Sequence, residues 1–294
     1  MDLALRIVSI LFPMFALVGV GYAYGRRHAA DMSVANHLNM EIFVPALIFS
    51  ALATKSFDLA TYGGLALAMV LMILGTGILA WLLARMTGHG ALALAPPLMF
   101  SNSVNLGVPL AVLTFGNEVL PLAIVLFVVS TLLHFSLGVW LLDHQARLGN
   151  LWRHPAVLAA FGGLVVGSSG VELWSPLITA VKMLGDISIP LALFGLGVRL
   201  TEGGLAQWRV GLLGGVARPL AGMLLALAIS PLLGLDARHA SLLFLYGALP
   251  PAVMNYVFAE RYRREPDKVA SIVLIGNLAS VAFLPFALAI VLSP

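Results

Sequence analysis

The sequence predicts an all-α membrane protein: ten transmembrane helices as two inverted sets of five, with the fourth and ninth spans broken at proline and crossing one another. Three observations predict it: the composition, the number of apolar stretches, and a match between the two halves of the chain. Of 294 residues, 61% are hydrophobic and 10% are charged, whereas soluble domains average about 45–50% and about 25%. One soluble core could not hide so much apolar surface, so lipid is the implied solvent.

A spanning helix needs about 20 mostly apolar residues. Ten stretches qualify: Leu3–Tyr24, Val34–Thr54, Leu59–Met86, Leu92–Phe115, Val119–Leu142, Pro155–Val171, Pro176–Leu200, Val210–Leu233, Ala240–Ala259 and Val269–Leu292. The first contains Pro13, lacks a basic leader and stays apolar to Tyr24, so it reads as a span and not a signal peptide. The loops are too short for a soluble domain. Loops joining spans 1–2, 3–4, 5–6, 7–8 and 9–10 hold Arg26, Arg27, Arg85, Arg147, Arg153, Arg199, Arg209, Arg261, Arg263, Arg264 and Lys268, whereas the opposite side holds Arg6, Lys55 and Arg238. That bias of eleven to three places the first set in the cytoplasm and both termini outside.

The halves echo each other. Glu41-Ile42-Phe43-Val44-Pro45-Ala46-Leu47-Ile48-Phe49 in span two matches Asp186-Ile187-Ser188-Ile189-Pro190-Leu191-Ala192-Leu193-Phe194 in span seven in its acid, Ile, Pro and last Phe, at an offset of 145 residues. A weaker echo joins span four (Leu98, Phe100) to span nine (Leu242, Phe244), each followed by a break at proline. The expected units are residues 1–146 and 147–294. Five is odd, so a second copy must enter the membrane from the opposite face. Inverted repeats are the architecture of alternating-access carriers, whose site lies at the midplane.

Span four is interrupted by Ser101-Asn102-Ser103-Val104-Asn105-Leu106-Gly107-Val108-Pro109, and span nine by Tyr246-Gly247-Ala248-Leu249-Pro250-Pro251-Ala252-Val253-Met254-Asn255-Tyr256. Proline removes a donor and clashes with the preceding turn, while Ser and Asn compete for backbone hydrogen bonds. Such breaks survive in a bilayer only when buried in protein or lining a wet cavity. A restarted helix offers free N–H groups and a positive dipole end to an anion. The amides of Asn102, Asn105 and Asn255 add neutral donors. The expected substrate-binding set is therefore Asn102, Ser103, Asn105, Gly107, Pro109, Pro250, Pro251 and Asn255, with Arg218 beside it; the plainer alternative is two structural kinks.

At these residues the chain resembles the auxin efflux carrier family in its short bacterial form, similar to organic-acid permeases such as those for malonate. The resemblance rests on Ile42–Phe49, Asn102–Pro109, Ile189–Gly197 and Pro250–Asn255 and spans nearly the whole chain. It implies a ten-helix panel-and-scaffold carrier, an architecture similar to that of bile-acid symporters and sodium/proton antiporters. It also implies a small organic acid as substrate, a place in the bacterial inner membrane, and a homodimer as one assembly to expect. The long hydrophilic loop of the larger plant carriers is missing, so nothing points to auxin itself.

The remaining ionisable groups stay open. Arg218 lies in mid-span with Ile73 as its repeat mate; it is either a fixed cation for a carboxylate or a partner for Asp186 or the packing. Glu41 and Asp186 are candidate ion or proton sites, or structural carboxylates near helix starts. His134 is a third coupling candidate or an ordinary packed histidine; Asn277 and Lys182 read as packing residues. Gly21/Gly25 and Gly163/Gly167 have the spacing of close helix contacts.

No cysteine occurs, which removes disulfides and thiolate metal sites. There is no basic, aromatic-interleaved stripe for nucleic acid, no His-Glu-x-x-His or Gly-x-Ser-x-Gly for an enzyme, and no nucleotide loop. No cofactor is expected beyond a coupling H⁺ or Na⁺. The expected function is a secondary carrier of a small carboxylate; a coupled cation antiporter and a substrate-sensing receptor are the alternatives.

Overall fold

The computed structural model describes residues 2–28, 31–53, 59–144, 153–201 and 206–293, with the side chains of residues 59–61 left out. The expected junction between halves at residues 146 and 147, together with Thr54, Lys55 and Arg147, lies outside the described residues. Among these residues the secondary structure is helical, apart from one antiparallel bridge between Ser101 and Pro251.

We number the helices α1 Leu3–Arg27, α2 Ser33–Ala53, α3 Leu59–Thr87, α4 Ala91–Met99, α5 Ser103–Phe115, α6 Asn117–Leu142, α7 Pro155–Ser169, α8 Ser175–Arg199, α9 Trp208–Leu232, α10 Ala237–Ala248, α11 Met254–Arg261 and α12 Pro266–Leu292. Seven stretches, all of α1, α2, α6, α8, α9 and α12 and most of α3, are long and apolar enough to cross a membrane. The others are shorter: α4 and α5 divide expected span four, α10 and α11 divide span nine, and α7 is a short apolar helix. Helix ends fall within three residues of the expected ones, as at Arg27 against Tyr24.

Apolar side chains face outward as well as inward. Phe12, Phe161 and Leu224 are each more than half exposed, as suits helices solvated by lipid on one side and by protein on the other. Helix association in lipid relies on close packing. A Cβ on Gly21 would lie 2.0 Å from the Phe194 carbonyl oxygen, and one on Gly197 would lie 2.0 Å from that of Val18. The backbones of α1 and α8 therefore touch through these two glycines.

Two bundles result. In one, α1 packs along α8, α2 along α7, and α8 along α2. In the other, α9 packs against α12, α10 and α3, while α3 packs against α4 and α6. Between the bundles, α2, α7 and α8 face α5, α6 and the start of α11 across a cavity.

Candidate functional site

The helices open at residues 100–102 in span four, at the start of the expected segment, and at residues 249–253 around Pro250 and Pro251 in span nine, and each break supplies what the other lacks. Helix α4 stops at Met99; Phe100 is extended (φ −108°, ψ 108°), as is Leu249 after α10 (φ −63°, ψ 146°). The Asn102 N–H donates to the Pro250 carbonyl at 2.9 Å, and the Ala252 N–H donates to the Phe100 carbonyl at 2.9 Å. Two prolines in a row cannot donate, so Pro250 and Pro251 only accept. Exchanging hydrogen bonds leaves fewer orphaned groups in a low-dielectric interior, where each would be costly.

Side-chain amides complete the crossing. Asn255 Nδ2 donates to the carbonyls of Phe100 at 2.9 Å and Ala252 at 3.0 Å. Asn277 Nδ2 donates to the Pro251 carbonyl at 3.2 Å, and Asn102 Nδ2 donates to Asn277 Oδ1 at 3.4 Å. The Ser103 hydroxyl lies 3.2 Å from that of Ser101 and donates to that of Ser130 at 3.4 Å.

On one side of the crossing lies a cavity of about 130 Å³. Its walls include Asn36, Asn39, Asn102, Ser103, Asn105, Ser130, Thr131, His134, His154 and Arg199. At about 30 Å³ per water, it has room for a small molecule and is smaller than a drug-sized site. No Asp or Glu is among its described lining residues; the fixed charge is Arg199. A second cavity of about 280 Å³ shares Leu196, Arg199 and Val253 with the first and reaches Tyr256, Asp267 and Asn277.

Three π-helical segments border the first cavity: Asn39–Phe43 in α2, Ser103–Gly107 in α5 and His134–Gly138 in α6. The first residue of each, Asn39, Ser103 and His134, lines the cavity. Such bulges are rare and cluster at functional sites. Asn39 Oδ1 is buried there without a hydrogen-bond partner, and the buried His134 ring lies beside the Asn255 side chain. The His134 ring stacks on Phe100 with centroids 4.2 Å apart, which ties it to the crossing. His154, just before α7, also lines the cavity; burial lowers its pKa from the ordinary imidazole value.

The expected site residues separate into three groups. Asn102, Ser103, Asn105 and His134 line the cavity. Pro250, Pro251 and Asn255 form the crossing behind it without lining it. Gly107 and Pro109 sit inside α5, and Gly107 packs against Leu249 and Tyr246. The break at span four therefore lies at residues 100–102 and does not extend to Pro109.

The structure brings neither Arg218 nor the two acids to the cavity. Arg218 is buried in α9, where Nη1 donates to the Gly247 carbonyl at 2.9 Å and Nη2 to that of Tyr246 at 3.5 Å. It satisfies the last carbonyls of α10, the negative end of that helix, and does not pair with Asp186. Asp186 is exposed and bonded to Lys182 at 2.7 Å; Glu41 is exposed, 3.6 Å from His37. Asn36, Asn39, His154, Ser130 and Arg199 escaped sequence reasoning. Arg199 counted there only as a loop cation, and π bulges leave no mark in apolar periodicity. Asn277, taken as packing, is a member of the crossing.

Comparison with known proteins points to transport across a membrane. Residues 145–288 match the family described as membrane transport protein. A protein of Rhizobium meliloti (strain 1021) named "Putative malonate transporter" is 24% identical over 301 residues, covering 94% of this chain and 93% of its own. By these similarities the chain is a multi-pass membrane transporter and not an enzyme, and it resembles the auxin efflux carrier family.

Proposed function

We propose that the protein is a secondary carrier of a small organic anion, which binds in the cavity beside the crossing of the two broken helices. One observation carries this reading: a small cavity whose only fixed charge among the described residues is a cation lies against Asn102 and Ser103 at the crossing. A carboxylate can take donors from serines and asparagines there and a counter-charge from Arg199. A cation antiporter needs acidic ligands, and the cavity's described lining offers none. The relative's name makes malonate the first acid to test. The cavity's size favours acids of malonate's bulk over one bearing an indole ring.

The packing supports a five-plus-five inverted duplication. Pairing spans one with six and two with seven maps the α1–α8 contact onto that of α7 with α2; the same operation maps α3 with α4 and α6 onto α9 with α10 and α12. The cavity reaches the ends of α2, α7 and α8 near the arginine-rich loops. With those loops in the cytoplasm of a bacterial inner membrane and both termini outside, this is an inward-facing arrangement. Movement of one bundle against the other would carry the crossing to the opposite face.

The test is uptake of radiolabelled malonate, malate, lactate and indole-acetate into proteoliposomes under imposed proton, sodium or no gradients. Saturable uptake of one small acid, driven by one gradient, is the expected result. No uptake of any acid by folded protein would shift the reading to a cation carrier or receptor.

A further inference from the structure

We propose that Arg199 is the anchor for the substrate's carboxylate, and that its planar fork selects carboxylates over uncharged analogues. This rests on the carrier reading above and names a residue for it. Ala192, Gly195, Leu196 and Arg199 all line the first cavity. Their spacing of three, four and seven puts them on one face of α8, so the helix directs this stripe, and with it the guanidinium, at the cavity.

Three further observations converge. Arg199 is half-buried and makes no ion pair with a described residue. It also belongs to the shared wall of both cavities, at the step between Asn102 on one side and Asn277 on the other. In the second cavity it faces a space that also touches Asp267, so that cavity carries both signs of charge and the first carries only the positive one. Finally, Asn39 and His134, each more than nine-tenths buried, line the first cavity, and Asn39 Oδ1 has no hydrogen-bond partner among the described residues. A buried polar atom without a partner is costly, and the hydroxyl of a hydroxy acid such as malate or lactate, seated against Arg199, would donate to this oxygen.

The chemistry differs from that of Arg218. That guanidinium is wholly enclosed and occupied by two backbone carbonyls. Arg199 keeps its donors for a ligand that arrives and leaves. Lysine would preserve the charge there but lose the bidentate geometry.

The experiment compares wild type, Arg199→Gln and Arg199→Lys in proteoliposomes, with radiolabelled malonate, malate and lactate and with lactamide as uncharged competitor. Loss of a charge-assisted hydrogen bond predicts a KM for the transported acid about ten- to a hundredfold higher in Arg199→Gln, and a smaller rise in Arg199→Lys. Lactamide should not compete in the wild type. Wild-type KM in folded Arg199→Gln, or competition by lactamide equal to that by lactate, overturns the proposal while leaving the carrier reading standing. If Arg199→Gln does not fold, an unchanged KM in Arg199→Lys overturns it equally. Failure of the wild type to take up any acid removes the carrier reading, and this proposal with it.

Discussion

Asn102 and Pro250, 148 residues apart in the chain, are joined by a backbone hydrogen bond of 2.9 Å, and Ala252 returns the bond to Phe100. The two helix breaks are thus one structural unit. Asn102→Ala removes the amide that reaches Asn277 and one wall of the cavity. Uptake per inserted molecule should fall about tenfold or more, one charge-free hydrogen bond and the substrate contact together, with membrane insertion unchanged. Wild-type rates in this variant would separate the crossing from transport.

Pro251 should be sensitive for a different reason. Its ring fills the space beside Gly276, where a Cβ would lie 2.5 Å from Pro251 Cδ and 3.3 Å from Gly215 Cα. Gly276→Ala overpacks α9, α12 and the crossing at once and should cost about 1–3 kcal/mol, read as a lower unfolding temperature in detergent. Pro251→Ala restores an N–H and loosens that packing, so it should lower transport more than stability. Comparing uptake with thermal unfolding for both variants checks the distinction.

Arg218 is expected to hold α10 in place and not to bind substrate. Arg218→Leu removes the side-chain donor to the Gly247 carbonyl at a cost of about 1–3 kcal/mol, so unfolding temperature should drop while KM in the surviving protein stays within about twofold. A raised KM with undiminished stability would make it the fixed cation for the substrate after all.

Of the three coupling candidates, His134 alone lines the cavity. His134→Ala should abolish stimulation of uptake by a proton gradient. Glu41→Gln should leave it intact, because Glu41 is an exposed residue with only a solvated histidine as partner and such pairs contribute little. Gradient-driven uptake that persists in His134→Ala removes this histidine from coupling.

Acid should loosen the start of α10. Asp236 caps it, accepting the His239 N–H at 2.8 Å, and this bond lowers the carboxyl's pKa from its ordinary value. A carboxylate whose pKa is lower folded than unfolded stabilises above the unfolded value of about 3.9 and loses that contribution as pH falls through the folded one. Asp236→Asn keeps the cap and should lose less stability than wild type between pH 5 and about pH 3, while Asp236→Ala should cost about 1 kcal/mol already at pH 7. Thermal unfolding across that range measures both.

Composition and apolar periodicity suffice to predict a helical membrane protein, the ends of its helices and the two segments where helices break. These are local quantities: residue hydropathy over about 20 positions, and proline's missing N–H. The amides of Asn102, Ser103 and Asn105 were legible for the same reason, being polar where a span demands apolar residues. Arg199 and Asn39 were not, since each lies near a helix end where polar residues are ordinary. Only the tertiary structure decides that α8 turns Arg199 into the same cavity that Asn39 and His134 enter from two π segments, and that Arg218 is consumed by α10. A side chain's role there depends on which unsatisfied groups the packing places beside it, and no spacing along the chain encodes that.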